Sequence, residues 1–353
     1  MISEKYNDAL EKNMILKLRE VLSELPDFVR TYFRGIDQRT AMRTKLAYAY
    51  DLRIFFNYVV DTNPIYKNKS IKDVTLDTLD SMNHVDIEEY MEYLKLYDKD
   101  DKEITNHEKG IKRKMSALRA MYAYLYNHEM IKNNPASMVS MPKLHQKEII
   151  RLDVDEVATM LDYTESGDLL TKNQKYFHDK TKVRDTALVT LLLGTGIRVS
   201  ECVGLDISDV DFKNSCIKVR RKGGNEDIVY FGDEVDKALN EYLKERNEII
   251  PVSGNENALF LSIQKKRISV RAVEKMVEKY ASMVTPLKHI TPHKLRSTYG
   301  TNLYRETGDI YLVADVLGHK DVNTTKKHYA DIDNERKRKA RNAVKLRDDT
   351  KED

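Results

Sequence analysis

Three short motifs in the second half of the sequence bring together side chains that suit a reaction at a phosphodiester. They are G-T-G-I-R-V-S-E at residues 194–201, T-P-H-K-L-R at 291–296, and V-L-G-H at 316–319 followed by K-K-H-Y-A. Together they supply two arginines, two histidines and one tyrosine: Arg198, Arg296, His293, His319 and Tyr329. Guanidinium groups bind phosphate oxygens, imidazoles transfer protons near neutral pH, and an activated tyrosine is a nucleophile. A tyrosine flanked by guanidinium and imidazole groups can cut a DNA strand and reseal it without metal or ATP.

The motif T-P-H-K-L-R has the residue types of a helix start. Thr291 suits an N-cap and Pro292 suits the first helical position. His293 and Arg296 would then share one helical face. Backbone N–H groups at such an N-terminus attract anions, so the pair predicts an anion site. A surface pair without a role is the alternative for this motif taken alone.

Two further positions depend on a glycine break and on a turn. Arg198 follows G-T-G and precedes Glu201 by three residues, which makes it either a structural ion-pair partner or a positioned phosphate clamp. Lys222 falls in the turn K-G-G-N-E-D between two predicted strands. A lysine on such a ribbon can reach a leaving-group oxygen. Neither position alone indicates a function, but the occurrence of both together with the other motifs does.

In this order the elements resemble the pattern of the tyrosine recombinases, also called the phage-integrase family. That pattern has an arginine in a G-x-R-x-x-E context, a hairpin lysine, H-x-x-R, a histidine or tryptophan after L-G, and a tyrosine further on. The matching positions are Arg198 with Glu201, Lys222, His293 with Arg296, His319 and Tyr329. Ser297 departs from the pattern, because many members have a second histidine there. We expect this change to alter packing and not activity.

The resemblance implies that Tyr329 attacks the phosphate and leaves a 3′-phosphotyrosyl link and a free 5′ hydroxyl. A tyrosine hydroxyl is a poor nucleophile at neutral pH, because its ordinary pKa is about 10. Arg198 and Arg296 would neutralise the charge that builds on the pentacovalent phosphorane, as an oxyanion hole does at carbon. Glu201 would orient Arg198 and would not contact DNA.

The same resemblance assigns the remaining proton transfers and the partners. His293 would transfer a proton around Tyr329, His319 would hydrogen-bond a phosphate oxygen, and Lys222 would protonate the departing 5′ oxygen. No cofactor and no metal enter this scheme. The implied substrate is double-stranded DNA with a specific recombination site, bound by a homotetramer on two duplexes that exchanges strands through a Holliday junction. An accessory cell-division or directionality protein is a further implied partner.

Within the family, the stretches L-P-D-F-V-R-T-Y-F, V-E-K-M-V-E-K-Y and R-K-G-G are similar to Xer-type members, most of all to the single-recombinase XerS group of Gram-positive bacteria. Such proteins resolve chromosome dimers before division. Few residues precede the helix expected at Thr44, so the arm-binding domain of many integrases is not expected there. An integrase or excisionase of a mobile element is the alternative. A type IB topoisomerase and a catalytically silent DNA-binding protein are less favoured, and the intact set of groups argues against the silent protein.

The N-terminal region must hold the DNA while these groups react, and its pattern is helical throughout. Apolar residues recur with the period of an α-helix, and Pro26 is predicted to split the first stretch into two helices. The predicted helical stretches are residues 15–33, 44–60, 87–97 and 111–126. Residues 1–141 are therefore predicted to be an all-α bundle. The resemblance implies that this bundle is a core-binding (SAM-like) DNA-binding domain.

A second domain must carry the reacting groups. Residues 142–151 are predicted to be a linker, because a residue before proline avoids the helical region. In the catalytic domain at 152–333, Asp153 is predicted to cap the first helix, and Gly194 and Gly196 to stop a strongly apolar one. Two alternating stretches around the K-G-G turn are predicted strands: 215–221 and 228–231. The domain is thus predicted to be α+β with a small antiparallel sheet, and the whole chain mainly α.

The distribution of charge says more than the net charge, which is only +3 over 353 residues. The segment K-G-I-K-R-K-M-S-A-L-R holds no acid, and its basic residues are the predicted DNA contacts: Lys109, Lys112, Arg113, Lys114 and Arg119. For the basic segment at 334–353, docking into a neighbouring subunit is favoured over DNA contact. A solvated helix face is the alternative for either cluster. Two cysteines and the lack of a long apolar run predict a soluble, cytoplasmic protein.

Overall fold

The computed structural model describes residues 6–99, 102–144, 150–221 and 224–318. The chain divides into two compact units between Lys147 and Glu148, inside the predicted linker at 142–151. Within the described ranges, no helix is both long and apolar enough to cross a bilayer.

The first unit is a bundle of helices with an aromatic core. Its described helices are α1 Tyr6–Glu24, α2 Asp27–Gly35, α3 Met42–Thr62, α4 Leu76–Ser81, α5 His84–Tyr93 and α6 Glu108–Asn127. Pro26 stands between α1 and α2 with an extended backbone (φ −54°, ψ 147°), so the predicted break is confirmed. Buried rings pack edge to face, with Phe55 5.3 Å from Phe56 and 5.0 Å from Tyr90 between ring centroids. This core joins α3 to α5.

One element of the first unit departs from the all-α prediction. The helix predicted over 87–97 ends at Tyr93, and an antiparallel hairpin follows. Its strands are β1 Leu96–Lys99 and β2 Lys102–Thr105. Tyr97 lies opposite Ile104, and its buried ring stacks on that of Tyr93 at 5.3 Å between centroids. The sequence hid this alternation because charged residues outnumber apolar ones in the segment.

The second unit packs helices around a small sheet. Its described helices are α7 Val154–Ser166, α8 Lys172–His178, α9 Lys182–Thr195, α10 Val199–Gly204, α11 Asp233–Glu248, α12 Val270–Val284, α13 Pro292–Thr307 and α14 Ile310–Val316. Helix α9 is central, buried along most of its length and packed against α7, α11 and α13. A helix with neighbours on several sides is apolar all round, which explains its strongly apolar sequence. The α+β class predicted for this region is confirmed.

The described sheet of this unit has three antiparallel strands in spatial order: β3 Val210–Asp211, β4 Cys216–Arg220 and β5 Glu226–Tyr230. The short edge strand β3 was not predicted. In β4, Ile217 and Val219 are buried, while Lys218 and Arg220 are exposed. Because side chains alternate along a strand, the next inward position is that of Arg221, whose side chain is 10% exposed.

Two helix ends in this unit follow from local sequence. Asp153 caps α7 in a capping box with Glu156, as predicted. Helix α9 runs through Gly194 and ends at Thr195, followed by Gly196 as its C-cap at φ +61°. The prediction that Gly194 helps to stop the helix was therefore wrong. Its lack of a side chain instead allows close helix packing, because a Cβ there would lie 2.5 Å from Cγ2 of Val235 on α11.

Candidate active site

Arg198 and Glu201 form an ion pair at the start of α10. Arg198 is the N-cap residue of this helix, with extended backbone (φ −72°, ψ 146°). Its Nη1 donates to Glu201 Oε1 at 2.7 Å, and its backbone N–H donates to Glu201 Oε2 at 2.8 Å. The Glu201 side chain is 3% exposed and that of Arg198 is 35% exposed. A buried carboxylate thus holds an arginine whose outer part faces solvent.

Arg296 lies on α13 and is 3% exposed. Its Nη1 donates to the Gly196 carbonyl at 2.7 Å, and its Nη2 donates to the Leu317 carbonyl. Gly196 lies two residues before Arg198 in the sequence, and Leu317 lies two residues before His319. One buried guanidinium therefore fixes the backbone leading to two of the predicted reacting groups.

The N-terminus of α13 carries His293. Thr291 has the extended backbone of an N-cap residue, and Pro292 occupies the first helical position, as predicted. His293 is exposed. Ser297, one turn later, donates its hydroxyl to the His293 carbonyl at 3.1 Å. The residue that departs from the family pattern therefore bonds within its own helix.

Sequence reasoning missed Arg221, which directly precedes Lys222. Its Nη1 donates to Glu201 Oε2 at 3.1 Å, and its Nε donates to Asp227 Oδ2 at 2.9 Å. Its Nη2 donates to the Val316 carbonyl at 3.0 Å. The alternation along β4 was the available signal, because an arginine at an inward position must have acceptors around it. Only the fold shows which acceptors these are.

Three predicted site residues, Lys222, His319 and Tyr329, lie outside the described residues, as does the segment at 334–353. The described contacts nevertheless join the segments that lead to two of them, through Arg221 and through Leu317. Among the described side chains of this cluster, Arg198 and Arg221 bind the carboxylates of Glu201 and Asp227. The guanidinium of Arg296 binds backbone carbonyls instead, so three positive charges accompany two negative ones. The surplus of positive charge suits a phosphate.

Three of the basic residues predicted to contact DNA lie near the surface at the start of α6. Lys109 is exposed, Lys112 is half-buried, and the Arg113 side chain is 49% exposed. Arg113 Nη1 also donates to the buried carboxylate of Asp51. Burial raises the pKa of Asp51 to about 6, although Arg113 and Lys114 act in the opposite direction. These three side chains bring positive charge to the surface of the unit.

The other two basic residues point into their own unit. Lys114 is 6% exposed, and its ammonium donates to Asn106 Oδ1 at 2.6 Å. Arg119 donates from Nε to the Ala136 carbonyl at 2.8 Å and from Nη2 to the Val139 carbonyl. Buried charges need such partners. These contacts give Lys114 and Arg119 a part in holding the unit together, which charge patterning alone did not reveal.

Solved structures of DNA recombinases share this fold. The XerH site-specific recombinase bound to a palindromic difH substrate, in a post-cleavage complex, matches with a TM-score of 0.62 at 19% identity over 96% of each chain. The Tn1549 transposon integrase in complex with circular intermediate DNA matches with a TM-score of 0.60 at 21% identity, over 85% of this chain and 94% of that one. This chain therefore shares the fold of these recombinase and integrase structures.

Similarity in sequence extends over both units. The model of the phage integrase family matches residues 150–336, and that of the phage integrase SAM-like domain matches residues 4–141. Tyrosine recombinase XerC of Caldanaerobacter subterraneus subsp. tengcongensis is 32% identical over 322 residues, 88% of this chain and 84% of that protein. Tyrosine recombinase XerS of Streptococcus thermophilus is 29% identical over 355 residues, 93% of this chain and 98% of that protein. The chain belongs to the phage integrase family, the tyrosine recombinases, and the predicted enzyme class is confirmed.

Proposed function

We propose that this protein resolves chromosome dimers at cell division, cutting each DNA strand through a 3′-phosphotyrosyl link to Tyr329. The observation that carries the proposal is the alignment with the XerS relative, which spans nearly the whole of both chains. Both the unit that would hold DNA and the unit that would cut it are therefore included. The reaction would take place in the cytoplasm, on a homotetramer that holds two duplexes.

Two arginines supply the positive charge that this reaction needs. Arg296 is fixed by two backbone carbonyls and Arg198 by the Glu201 carboxylate, so both guanidinium groups are oriented before DNA binds. Preorganised donors of this kind stabilise a developing charge, and removing one costs on the order of a hundredfold in rate. Arg198, with 35% of its side chain exposed, would reach outward to a non-bridging oxygen.

Three groups would handle protons and the remaining phosphate oxygen. His293 would transfer a proton around Tyr329, Lys222 would protonate the departing 5′ oxygen, and His319 would hydrogen-bond the phosphate. His293 is exposed at the N-terminus of the 16-residue helix α13, where the helix dipole favours an anion. This position supports the role of His293 in proton transfer next to a phosphate.

The first unit would hold the duplex through the start of α6. We assign phosphate contacts to Lys109, Lys112 and Arg113, which lie at or near the surface, and a supporting role to Lys114 and Arg119. Neutralising phosphates releases counterions, so binding should weaken steeply with salt. Replacing Lys109 with Gln should lower the salt slope by roughly one. The same replacement of the buried Lys114 should lower stability instead.

The test is covalent trapping on genomic DNA. Sheared DNA of the source organism is incubated with the wild-type chain and with Tyr329→Phe, and fragments that remain attached in denaturant are sequenced. We expect one chromosomal site with the wild type and none with the variant. A nicked duplex of that site should then accumulate the adduct, and two intact copies should exchange strands. Light scattering of the mixture should show four chains on two duplexes.

Other results would identify other functions. Recovery of the ends of a mobile element would identify an integrase or excisionase. Relaxation of a supercoiled plasmid that lacks the site would identify a topoisomerase. Binding without any adduct would contradict the assignment of Tyr329 and leave a silent DNA-binding protein.

A further inference from the structure

We propose that Arg221 is a positioning residue for strand cleavage, which sets the general acid Lys222 relative to Arg198. This inference rests on the proposed function, because it requires Lys222 to protonate the departing 5′ oxygen. It starts from a chain of contacts that runs from the base of the β4–β5 hairpin to Glu201 and from Glu201 to Arg198.

The backbone of Arg221 forms hydrogen bonds with two residues that follow Lys222 in the sequence. Its N–H donates to the Asn225 carbonyl at 2.8 Å, and its carbonyl accepts from the Gly224 N–H at 3.1 Å. Gly224 has φ +86°, a conformation that favours glycine. Lys222 is joined to Arg221 by one peptide bond, so any shift of Arg221 moves the point from which the lysine starts.

The side chain of Arg221 joins three segments of the second unit. Its acceptors are Glu201 on α10, Asp227 on β5, and the carbonyl of Val316 at the end of α14. The last carbonyls of a helix have no intrahelical donor, so Arg221 supplies one to α14. A cation at a helix C-terminus is also favoured by the helix dipole. The guanidinium thereby couples the hairpin to the residue that holds Arg198 and to the helix that precedes His319.

An arginine suits this junction better than other side chains. Its planar fork directs donors along several fixed lines, whereas a lysine carries a compact charge on a flexible stem. The chain after α14 also packs on the guanidinium, since a Cβ added to Gly318 would lie 3.0 Å from both Cζ and Nε of Arg221. Arg221→Lys should therefore keep one contact at a time and give an intermediate effect.

A purely structural arginine would show similar burial, and the second unit contains one. Arg246 is 3% exposed and donates to the carbonyls of Ala258 at 3.0 Å and Glu256 at 2.7 Å. A structural role and a positioning role for Arg221 differ in which step of the reaction a substitution slows. A lost fold contact slows cleavage of every substrate, whereas a misplaced general acid slows only the step in which the leaving group takes up a proton.

The experiment uses two versions of the nicked duplex recovered by trapping, with oxygen or sulfur as the 5′-bridging atom of the cut phosphate. A thiolate leaves without a proton, because the pKa of a thiol is only about 8.5. Lys222→Ala should cleave the oxygen duplex about 10²–10⁴ times more slowly, and sulfur should restore most of this loss. Arg221→Gln should lose about 10- to 100-fold on oxygen and recover to within about threefold of the wild type on sulfur.

Two further variants keep the outcome decisive. Arg246→Gln is the matched control and should change both rates by the same factor. Asp227→Ala removes the hairpin-side acceptor of Arg221, whereas an asparagine would still offer an amide oxygen. Because the Asp227 side chain is 44% exposed, the fold should tolerate the change. It should lose roughly three- to tenfold on oxygen and nothing on sulfur. If Arg221→Gln lacks a cooperative thermal transition, Asp227→Ala decides alone.

Equal losses on oxygen and sulfur in both Arg221→Gln and Asp227→Ala would overturn the inference and make Arg221 a structural residue. That result differs from a failure of the proposed function. If the wild type gives no Tyr329-dependent adduct on either duplex, the proposed function fails and this inference fails with it. If the wild type gives the adduct, the comparison between oxygen and sulfur tests Arg221 by itself.

Discussion

Replacing Glu201 with Gln should release Arg198 while leaving the fold in place. The carboxylate accepts from Arg198 Nη1 at 2.7 Å, from the Arg198 backbone N–H at 2.8 Å and from Arg221 Nη1 at 3.1 Å. A glutamine amide has only one acceptor oxygen. With that oxygen at the Oε2 position, two contacts survive, and the NH₂ group then faces the Nη1 donor of Arg198.

The expected loss of stability is about 3–5 kcal/mol, because one hydrogen bond is lost and the two that survive no longer bind a charged acceptor. The lower end should apply, because 35% of the Arg198 side chain is exposed and water can replace the lost acceptor. The guanidinium remains present but is no longer held. Formation of the Tyr329 adduct should therefore slow about 10- to 100-fold, less than the loss from Arg198→Ala.

The assay measures adduct formation on the nicked duplex and unfolding in urea for each variant. Glu274→Gln is the matched control, because Glu274 forms an exposed ion pair with Arg271 at 3.2 Å on α12. It should change the free energy of unfolding by less than about 1 kcal/mol and leave the rate unchanged. In an Arg198→Ala background, Glu201→Gln should cause almost no further slowing. Normal cleavage by Glu201→Gln, or full additivity with Arg198→Ala, would refute the view that Glu201 acts through Arg198.

Two more predictions concern stability. Gly196→Ala should cost about 2–5 kcal/mol, because the residue has φ +61° and its Cβ would lie 2.4 Å from Tyr299 Cδ1. Gly224→Ala is the control and should cost only the backbone strain, because Gly224 has φ +86° and an added Cβ would have nothing within 4 Å. Equal melting temperatures for the Gly196→Ala and Gly224→Ala variants would contradict the packing argument. For Asp51, whose pKa is raised from 3.8 to about 6, the folded chain binds more protons than the unfolded chain between these values. The free energy of unfolding should therefore fall by about 3 kcal/mol as pH rises through this window, and Asp51→Asn should remove that slope in urea titrations. Parallel curves for the two proteins would show that Asp51 is not the source.

Local chemistry was sufficient for several elements of the fold. Pro26 separates α1 from α2, Asp153 caps α7, and Thr291 with Pro292 begins α13, each within about one helical turn of its own sequence. The order of the catalytic motifs likewise indicated the family without any structure. The roles of the individual site residues stay predictions that the trapping experiments address.

Tertiary structure decided what depends on distant partners. Lys112 and Lys114 are two residues apart on α6 and so lie on different faces of the helix, and only Lys114 is buried. The partner that its ammonium binds there, Asn106, is given only by the fold. The hairpin after Tyr93 forms through pairing between strands and not through the composition of either strand.

Arg221 is the clearest case of a role that only the fold could reveal. Its acceptors on Glu201 and Val316 lie 20 and 95 residues away in the sequence. The sequence by itself determined which chemical groups the protein carries and where several of its helices begin, because those depend on neighbours along the chain. The tertiary structure alone decided which side chains bind each other, because hydrogen bonds and burial depend on distance in space.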